Sequence, residues 1–297
     1  MLHRLTPPRE LPEMKSWSFV RDAWQAVFKP SLRAVWKHDS DLLVIMSDDG
    51  LAGPTFFLNF ANIAQFEIKY SSSEIVVRPF DDDVPNNTIE HLLVDQVWPR
   101  ILAHDGDLVL HASGVANNQG AILFVGRSGQ GKSTLAASLH QRGLPLIGDD
   151  AVVISKRDGE ARCRAVYRSL RLFEDSIEKL FDSSIFHSDV AEYTDKQNVY
   201  FPPLAAGDED HRVRAIFLLN SEDGHADARV TPASPSDACM RFVEHSFWLD
   251  PTDMRLTAQK LKLASALANS VPVFQLTYPR DYAKLDELHA TIFSVLN

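Results

Sequence analysis

The segment GRSGQGKST at residues 126–134 constrains the fold more than any other part of this sequence. It matches the pattern G-x-x-x-x-G-K-[ST], in which a glycine-rich loop joins a strand to a helix. The apolar run 121–125 before it has the composition of a buried strand. After it, Leu135 and Leu139 lie one helical turn apart, and Gly143 stands where a helix would end. The sequence therefore predicts a P-loop within an α/β domain.

A P-loop binds the phosphates of a nucleotide through its backbone and through two of its side chains. The N–H groups of the loop and the N-terminus of the following helix hold the phosphates. Lys132 is predicted to contact the β- and γ-phosphates, and the Ser133 hydroxyl is predicted to ligate Mg²⁺. The alternative is a glycine-rich turn with an incidental lysine. The candidate nucleotide-binding residues are Gly126, Arg127, Ser128, Gly129, Gln130, Gly131, Lys132, Ser133 and Thr134.

Charge and composition argue against several classes of protein. The formal net charge of −10 disfavours a nucleic-acid-binding protein and a protein that binds anionic membranes. Cys163 and Cys239 lack the spacing of a metal site, so we expect ordinary thiols. No apolar run is close to the length of a membrane span, which is about 18 residues. The N-terminal segment lacks the apolar core of a secretion signal. We expect a soluble, cytoplasmic protein that binds neither nucleic acid nor membrane.

The pattern of secondary structure divides the chain into two regions. Residues 1–15 are rich in proline and predict a loose arm, and short β-like runs follow between residues 42 and 79. An apolar stripe then predicts a helix over residues 88–103. We place a boundary near residue 103, which gives a small α+β N-terminal domain at 1–103 and a P-loop domain at 104–297.

An acidic stretch precedes that helix, at Asp81, Asp82 and Asp83. Clustered carboxylates are compatible with a metal site. A solvated turn is the simpler interpretation, because Pro85, Asn86 and Asn87 follow closely.

His111 is the first candidate catalytic residue. It stands in a strand-like segment that leads into the turn 117–120, and the strand before the P-loop follows immediately. A tight hairpin centred near Asn118 would place His111 opposite Gly126, beside the phosphates. The alternative is a histidine that serves only the core or a cap.

Asp149 and Asp150 are the second pair of candidates. They lie between two apolar runs, where adjacent carboxylates are unfavourable unless a cation is near. A strand that returns parallel to the first would bring them to the edge where the phosphates lie, and an antiparallel return would weaken this argument. One would coordinate Mg²⁺ and the other would orient or deprotonate an acceptor hydroxyl. The alternative is an Asp-Asp turn on the surface.

Three segments together resemble a known family. LHASGV (110–115), GRSGQGKST (126–134) and RGLPLIGDDAVVI (142–154) are similar to the C-terminal catalytic domain of HPr kinase/phosphorylase. They are more similar to the HPr-kinase-related kinases found beside peptide-tailoring genes, including lasso-peptide kinases. The resemblance extends weakly over residues 104–297 and implies a P-loop, HPr-kinase-like kinase domain.

The resemblance also implies roles for individual residues. His111 matches the family's active-site histidine, Lys132 belongs to its P-loop, and Asp149 and Asp150 match its catalytic and metal-binding acids. We take Ser133 and Asp150 as candidate metal ligands, with the roles of the two aspartates interchangeable. Because HPr enzymes are hexamers, the resemblance also makes a homo-oligomer plausible.

The sequence departs from the family at two points. The HPr enzymes usually have an acidic residue where Thr134 stands, and their later signature with an Arg-Gly pair has no clean match here. The resemblance therefore supports neither a phosphorylase activity nor HPr as the substrate. In the nearest segment, Arg168 and Arg171 are candidates to clamp a phosphate or a substrate carboxylate, or else are surface arginines. Lys196 is a weaker candidate of the same kind.

These observations predict a kinase that depends on ATP and Mg²⁺ and phosphorylates a serine-type hydroxyl. The acceptor would be a peptide or a small protein, with a lasso-peptide precursor as one candidate. One alternative is a kinase of a small-molecule alcohol. Another is a nucleotide-binding regulatory module without catalytic activity.

Overall fold

The computed structural model describes residues 3–4, 14, 16–24, 32–38, 42–48, 53–183, 185–200, 210–220 and 227–296. Within these ranges the chain is a mixed α/β protein whose strands form three sheets. The chain divides into two compact units. The first unit comprises Met1–His104 and Trp248–Thr257, and the second comprises Asp105–Phe247 and Ala258–Asn297.

The first unit contains a seven-stranded sheet with the strand order β1-β2-β7-β6-β5-β4-β3. Its strands are β1 (His3–Arg4), β2 (Ser18–Arg21), β3 (Leu32–His38), β4 (Leu42–Asp48), β5 (Pro54–Phe60), β6 (Ala64–Lys69) and β7 (Glu74–Pro79). The β-like runs predicted between residues 42 and 79 coincide with β4, β6 and β7 and are confirmed. The predicted arm at 1–15 lies almost entirely outside the described residues.

The predicted helix over residues 88–103 is present, but it is not a regular α-helix throughout. It begins as α1 (Asn86–Leu92), passes through a π-helical turn (Leu93–Val97) and continues as α2 (Trp98–His104). Pro99 has no N–H to donate to the carbonyl four residues earlier, which interrupts the α-helical hydrogen-bond pattern near this turn. The predicted apolar stripe is buried, as expected, at Ile89, Leu92, Leu93, Val97 and Ile101.

The aspartates at 81–83 form an exposed turn in which Asp81 accepts a hydrogen bond from the N–H of Asp83 at 3.1 Å. In the described part of the chain, no group of three or more His, Cys, Asp or Glu residues is arranged to hold a metal ion. The solvated-turn interpretation is therefore the one that the structure supports.

The second unit contains a nine-stranded sheet and a three-stranded sheet. The larger sheet has the order β11-β9-β10-β17-β13-β12-β8, and β19 pairs with both β17 and β18. Its strands are β8 (Leu108–Leu110), β9 (Ala112–Asn117), β10 (Gly120–Val125), β11 (Leu146–Gly148), β12 (Val152–Arg157), β13 (Glu160–Ala165), β17 (His211–Asn220), β18 (Arg229–Pro232) and β19 (Val273–Thr277). The smaller sheet contains β14 (Leu170–Phe173), β15 (His187–Ala191) and β16 (Thr194–Val199).

Helices cover both faces of the larger sheet. Strand β10, which lies in the interior of this sheet, is accordingly apolar on both sides. Ala121, Leu123 and Val125 belong to one hydrophobic cluster, and Ile122 and Phe124 belong to the other. The first cluster includes residues of α5 (Pro235–Glu244) and α6 (Met254–Ser270). The second includes residues of α3 (Lys132–Gln141), α4 (Glu174–Leu180) and α7 (Leu285–Ser294). The continuous apolar run at 121–125 is typical of such a doubly covered strand.

The strand directions bring several loops to one edge of the sheet. β10, β17 and β19 are parallel, and β9 is antiparallel to β10. β11 is antiparallel to β9 and therefore runs in the same direction as β10. The predicted parallel return is correct in direction, although β9 lies between the two strands. The residues after β11, Asp149 and Asp150, consequently lie at the same edge as the residues after β10.

Two expectations from composition can be compared with the structure. Cys163 and Cys239 are free and buried, as expected of ordinary thiols. Within the described ranges, no helix combines the length and the apolar character needed to span a membrane.

A buried histidine on α7 makes the stability of the second unit depend on pH. Nε2 of His289 donates to the hydroxyl of Ser138 at 2.8 Å, since that hydroxyl itself donates to the carbonyl of Leu135. Nδ1 of His289 has no hydrogen-bond partner among the described residues. Burial therefore lowers the pKa of His289 to about 4, with the nearby Arg142 acting in the same direction.

We expect this histidine to destabilise the fold as the pH falls. Its folded-state pKa lies below its unfolded value, so its contribution is intact above about pH 6.5 and is lost progressively towards pH 4. For a shift of this size the free energy of unfolding would fall by up to about 3 kcal/mol. In urea titrations across this range, His289→Gln should lessen the pH dependence, and the exposed His187→Gln should not. Equal pH dependence for wild type and His289→Gln would contradict the assignment.

Candidate active site

The loop between β10 and α3 has the backbone conformation that its glycines allow. Gly129 and Gly131 have φ values of 77° and 85°, in the left-handed region that favours glycine. Gly131 is the residue before the first turn of α3, and the N–H of Leu135 donates to its carbonyl at 2.9 Å. The hydroxyl of Tyr278 donates to the carbonyl of Gln130 at 2.7 Å and ties the loop to the segment after β19. The predicted strand, glycine loop and helix are all present.

The two glycines differ in the space around them, which allows a matched test. A Cβ at Gly131 would lie 2.5 Å from the hydroxyl oxygen of Tyr278, whereas a Cβ at Gly129 would meet nothing within 4 Å. Both alanine substitutions incur the cost of a left-handed conformation, about 1–2 kcal/mol. We expect Gly131→Ala to lower the free energy of unfolding by about 1 kcal/mol more than Gly129→Ala, because of the added clash. Equal losses in thermal unfolding would contradict the close contact.

Lys132 is the first residue of α3, and its side chain folds back against the loop before it. Its side chain is 4% exposed, and its ammonium donates to the carbonyls of Gly126 and Arg127 at 3.0 and 3.1 Å. Burial lowers the pKa of Lys132, and the negative charges of Asp150 and Asp149 oppose that effect. The ammonium is thus held by backbone oxygens and lies close to two carboxylates.

Asp149 is the most enclosed acidic group of the site. It is fully buried, and its Oδ1 accepts hydrogen bonds from the hydroxyl of Ser133 at 2.9 Å and from the hydroxyl of Ser113. Its Oδ2 accepts from the backbone N–H of Arg171 at 3.2 Å. Burial, and then the charge of Asp150, raise the pKa of Asp149. The surface-turn interpretation of this aspartate is therefore wrong.

Glycine is needed immediately before Asp149. A Cβ at Gly148 would lie 2.5 Å from the Cβ of Ala165 and 3.0 Å from the carbonyl oxygen of Tyr167. The small residue lets the end of β11 approach this neighbouring backbone. The approach positions Asp149 beside the N-terminus of α3.

Asp150 points towards a different set of groups. Its backbone has a φ of 64°, which aspartate tolerates better than most residues. Its Oδ2 accepts from Nη1 of Arg171 at 3.1 Å, and its side chain is 15% exposed. The two adjacent carboxylates therefore contact different groups, and they share only Arg171, which donates to Asp149 from its backbone and to Asp150 from its guanidinium.

Arg171 is not a surface residue, so the alternative interpretation as a surface arginine is wrong for it. It lies in β14, is 4% exposed, and donates to the hydroxyl of Tyr167 as well as to Asp150. Nη2 also donates to the hydroxyl of Ser169 at 3.2 Å, and the guanidinium lies 5.1 Å from the centroid of the Tyr167 ring. Burial lowers the pKa of Arg171 to about 9, so the group stays charged at neutral pH. Its contacts fix the orientation of Asp150.

His111 lies at the position that the hairpin register predicted. β9 and β10 pair through Ala112 and Val125, so the next pair outward would be His111 and Gly126. Nδ1 of His111 is 2.9 Å from the backbone carbonyl of Asp150 and must carry the proton, since a carbonyl only accepts. Burial and the charge of Lys132 lower the pKa of His111 to about 3. The ring is therefore neutral, with the free electron pair of Nε2 3.8 Å from Oδ1 of Asp150.

Several of these groups line a cleft of about 320 Å³, although Asp149 is not among them. The glycine loop before α3 and the start of α3 form one wall, and residues 171–176 and 278–288 contribute others. Asp150, Arg171 and Lys196 line it, whereas His111 and Arg168 do not. The ammonium of Lys196 lies 5.7 Å from the centroid of the Phe173 ring. Two of the three weaker substrate candidates therefore adjoin the cleft.

Three contributors to the site were not predicted from the sequence. Ser113 is two residues from His111, and a strand through both positions, as the sequence predicts, would place them on one face. In the structure His111 lies in the bend between β8 and β9. Tyr167 and Tyr278 come from segments far from the glycine loop in sequence. Nothing local in the sequence distinguishes them from other buried tyrosines.

Comparison with known proteins adds little at the level of residues. No family model matches the chain, and no curated protein matches it. Among solved structures, the HPr(Ser) kinase/phosphatase from Coxiella burnetii is similar over 63% of this chain and 95% of that chain. The identity is 11% and the TM-score is 0.33. This similarity is too distant to assign residues or an activity.

Proposed function

We propose that this chain is a phosphotransferase that transfers the γ-phosphoryl group of ATP to a hydroxyl group. The observation that carries the proposal is the hydrogen bond of 2.9 Å between the hydroxyl of Ser133 and the carboxylate of Asp149. A P-loop serine beside an aspartate from the next strand is the pair that holds Mg²⁺ in nucleotide-binding P-loop proteins. Lys132 and Asp150 line the same cleft.

The residues present fit a magnesium ion bound together with a nucleotide. Mg²⁺ is usually held by one or two carboxylates and by substrate phosphates rather than by a full cage of protein ligands. Ser133 and Asp149 supply such a partial set of oxygens. When bound, Mg²⁺ would neutralise part of the phosphate charge. We therefore propose Asp149 rather than Asp150 as the acidic metal ligand, together with Ser133.

Asp150 is then the group proposed to accept the proton of the acceptor. Arg171 orients its carboxylate, which lines the cleft with Lys132, and His111 donates to its backbone carbonyl. The acceptor hydroxyl would give its proton to Asp150 as its oxygen bonds to the γ-phosphorus. The bond between that phosphorus and the β-phosphate oxygen would break and release ADP. A nucleotide-binding module without catalytic activity would not need this second carboxylate.

We propose a serine-type hydroxyl of a peptide or small protein as the acceptor, with a lasso-peptide precursor as one candidate. The motif resemblance supports this substrate class. The cleft volume of about 320 Å³ lies at the lower end for small-molecule sites, so an acceptor chain needs a further surface. The N-terminal region at 1–103 is the proposed surface.

The test is mass spectrometry of serine-ended peptides incubated with the full chain, ATP and Mg²⁺. We expect a phosphate on the serine hydroxyl and none on matched peptides that end in alanine. Phosphorylation of glycerol or a sugar, with no peptide modified, would instead indicate a small-molecule kinase. Nucleotide binding without any ADP formation would indicate a regulatory module.

A further inference from the structure

The cleft has two ends of different chemistry. One end carries the charged groups of the proposed transfer site, including Lys132, Asp150 and Arg171. The other end is formed by the start of α3, by β14 and the residues after it, and by the segment after β19. It combines the apolar and aromatic residues Leu172, Tyr278, Pro279, Tyr282 and Leu285 with the charged Asp175, Arg280 and Asp281.

We propose that this apolar end is a subsite for the base of the nucleotide, with Tyr282 as the main contact. The inference rests on the proposed function, because it assumes that the P-loop holds the phosphates. Planar heterocycles stack on aromatic side chains, and this contact tolerates different bases. An apolar lining with a few polar groups is also the usual composition of a small-molecule site.

The order of the phosphates along the loop places the base at this end. Lys132 is expected to contact the β- and γ-phosphates, so the γ-phosphate lies towards Asp150. The α-phosphate and the nucleoside then extend away from Asp150, past Thr134, the third residue of α3. The hydroxyl oxygen of Thr134 is 3.3 Å from that of Ser176. The hydroxyl of Ser176 is in turn 2.8 Å from that of Tyr282, so polar contacts connect the loop with the apolar end.

The hydroxyl of Tyr282 determines which groups donate and which accept in these hydrogen bonds. The hydroxyl of Tyr282 donates to the carboxylate of Asp175 at 3.1 Å and can therefore only accept from Ser176. Ser176 in turn accepts from Thr134. The Tyr282 ring is thereby held at the cleft, and the exposed Asp175 carboxylate is left with capacity to accept from an amino group of a base.

An apolar side chain of the acceptor is the other class of occupant to consider. The acceptor hydroxyl must reach the γ-phosphate beside Asp150. With a triphosphate on the loop, the apolar end lies on the opposite side of the phosphates from that point. The base is therefore the occupant that the arrangement favours.

The test compares ligands with and without a base, by titration calorimetry of the full chain in the presence of Mg²⁺. The ligands are ADP and pyrophosphate, and the variants are Tyr282→Ala and Tyr200→Ala. Tyr200 is exposed and does not line the cleft, which makes it a matched control. We expect wild type to bind ADP more tightly than pyrophosphate. Tyr282→Ala should weaken ADP binding by about tenfold, the scale of one base-stacking contact.

The affinity for pyrophosphate shows whether the variant keeps the fold and the conformation of the loop that is proposed to bind phosphate. It should be unchanged in Tyr282→Ala, and Tyr200→Ala should change neither ligand. If wild type binds pyrophosphate but binds ADP no more tightly, or if Tyr282→Ala leaves the ADP affinity unchanged, the subsite is wrong while the proposed function stands. If Tyr282→Ala instead raises the KM for a peptide acceptor alone, the apolar end binds the acceptor and the inference is overturned. If wild type binds neither ligand, the proposed function itself fails.

Discussion

Replacing Asp150 with asparagine is expected to lower the rate of phosphoryl transfer by about a thousandfold. General-base catalysis contributes about 10²–10⁴ to rate in enzymes, and asparagine cannot accept the proton. The substitution suits this position, because asparagine also tolerates the left-handed backbone at φ 64°. The amide oxygen can still accept from Arg171, so the loss should reflect chemistry rather than misfolding.

This prediction is tested by measuring the single-turnover rate of phosphoryl transfer and the affinity for Mg²⁺-ADP. Asp158→Asn is a matched control, since Asp158 also has a positive φ, 53°, and is exposed in the turn between β12 and β13. It should transfer phosphate at the wild-type rate. Asp150→Asn should bind Mg²⁺-ADP within a few-fold of wild type, whereas Asp149→Asn should weaken binding and its dependence on Mg²⁺. Near-native transfer by Asp150→Asn would mean that another group accepts the proton.

Much of this site could be predicted from the sequence because it is built from local signals. The turn at 117–120 fixes the hairpin register, and the register fixes the place of His111. The glycine loop predicts the helix that follows it. The short connection from α3 to β11 limits where Asp149 can lie, so the two loops meet at one sheet edge even though β9 intervenes.

Other parts of the site depend on contacts between distant segments and leave no local signal. Arg171 follows an irregular segment, and its burial becomes clear only when β14 lies against the residues after β11. The left-handed backbone of Asp150, which turns the two carboxylates apart, has no signal such as glycine. The sequence also gave no reason to group Trp248–Thr257 with the first unit, since that segment follows α5 directly in the chain.

The different roles proposed for the two aspartates rest on their different environments. Asp149 is enclosed by two hydroxyl donors and one backbone N–H, which leaves it little freedom to receive a proton from an acceptor. Its raised pKa means that acid favours its neutral form, and a metal ligand must be ionised. Binding of Mg²⁺-ADP should therefore weaken as the pH falls. Asp150 lines the cleft and is free of those donors, as an acceptor of the substrate proton requires.

Lys132→Ala is expected to abolish phosphoryl transfer, with a loss of about a thousandfold or more. The ammonium is expected to contact the proposed γ-phosphate, and preorganised charge in an enclosed site is among the largest contributors to catalysis. It also lies near both carboxylates, so its removal takes away one of the positive charges that offset them, and Arg171 and Lys196 are left to offset Asp150 and Asp149 respectively. We expect a weaker affinity for Mg²⁺-ADP and for pyrophosphate as well.

Two further variants separate the charge of Lys132 from its packing. Lys132→Met keeps an unbranched side chain in the buried position, and it should be as inactive as Lys132→Ala while unfolding at a higher temperature. The exposed Lys156 on β12 offers a matched control, and Lys156→Ala should retain wild-type transfer. Circular dichroism establishes that each variant is folded before transfer is measured. Wild-type turnover by folded Lys132→Ala would mean that this loop does not hold the transferred phosphate, because nothing else on the loop carries a buried positive charge among the described residues.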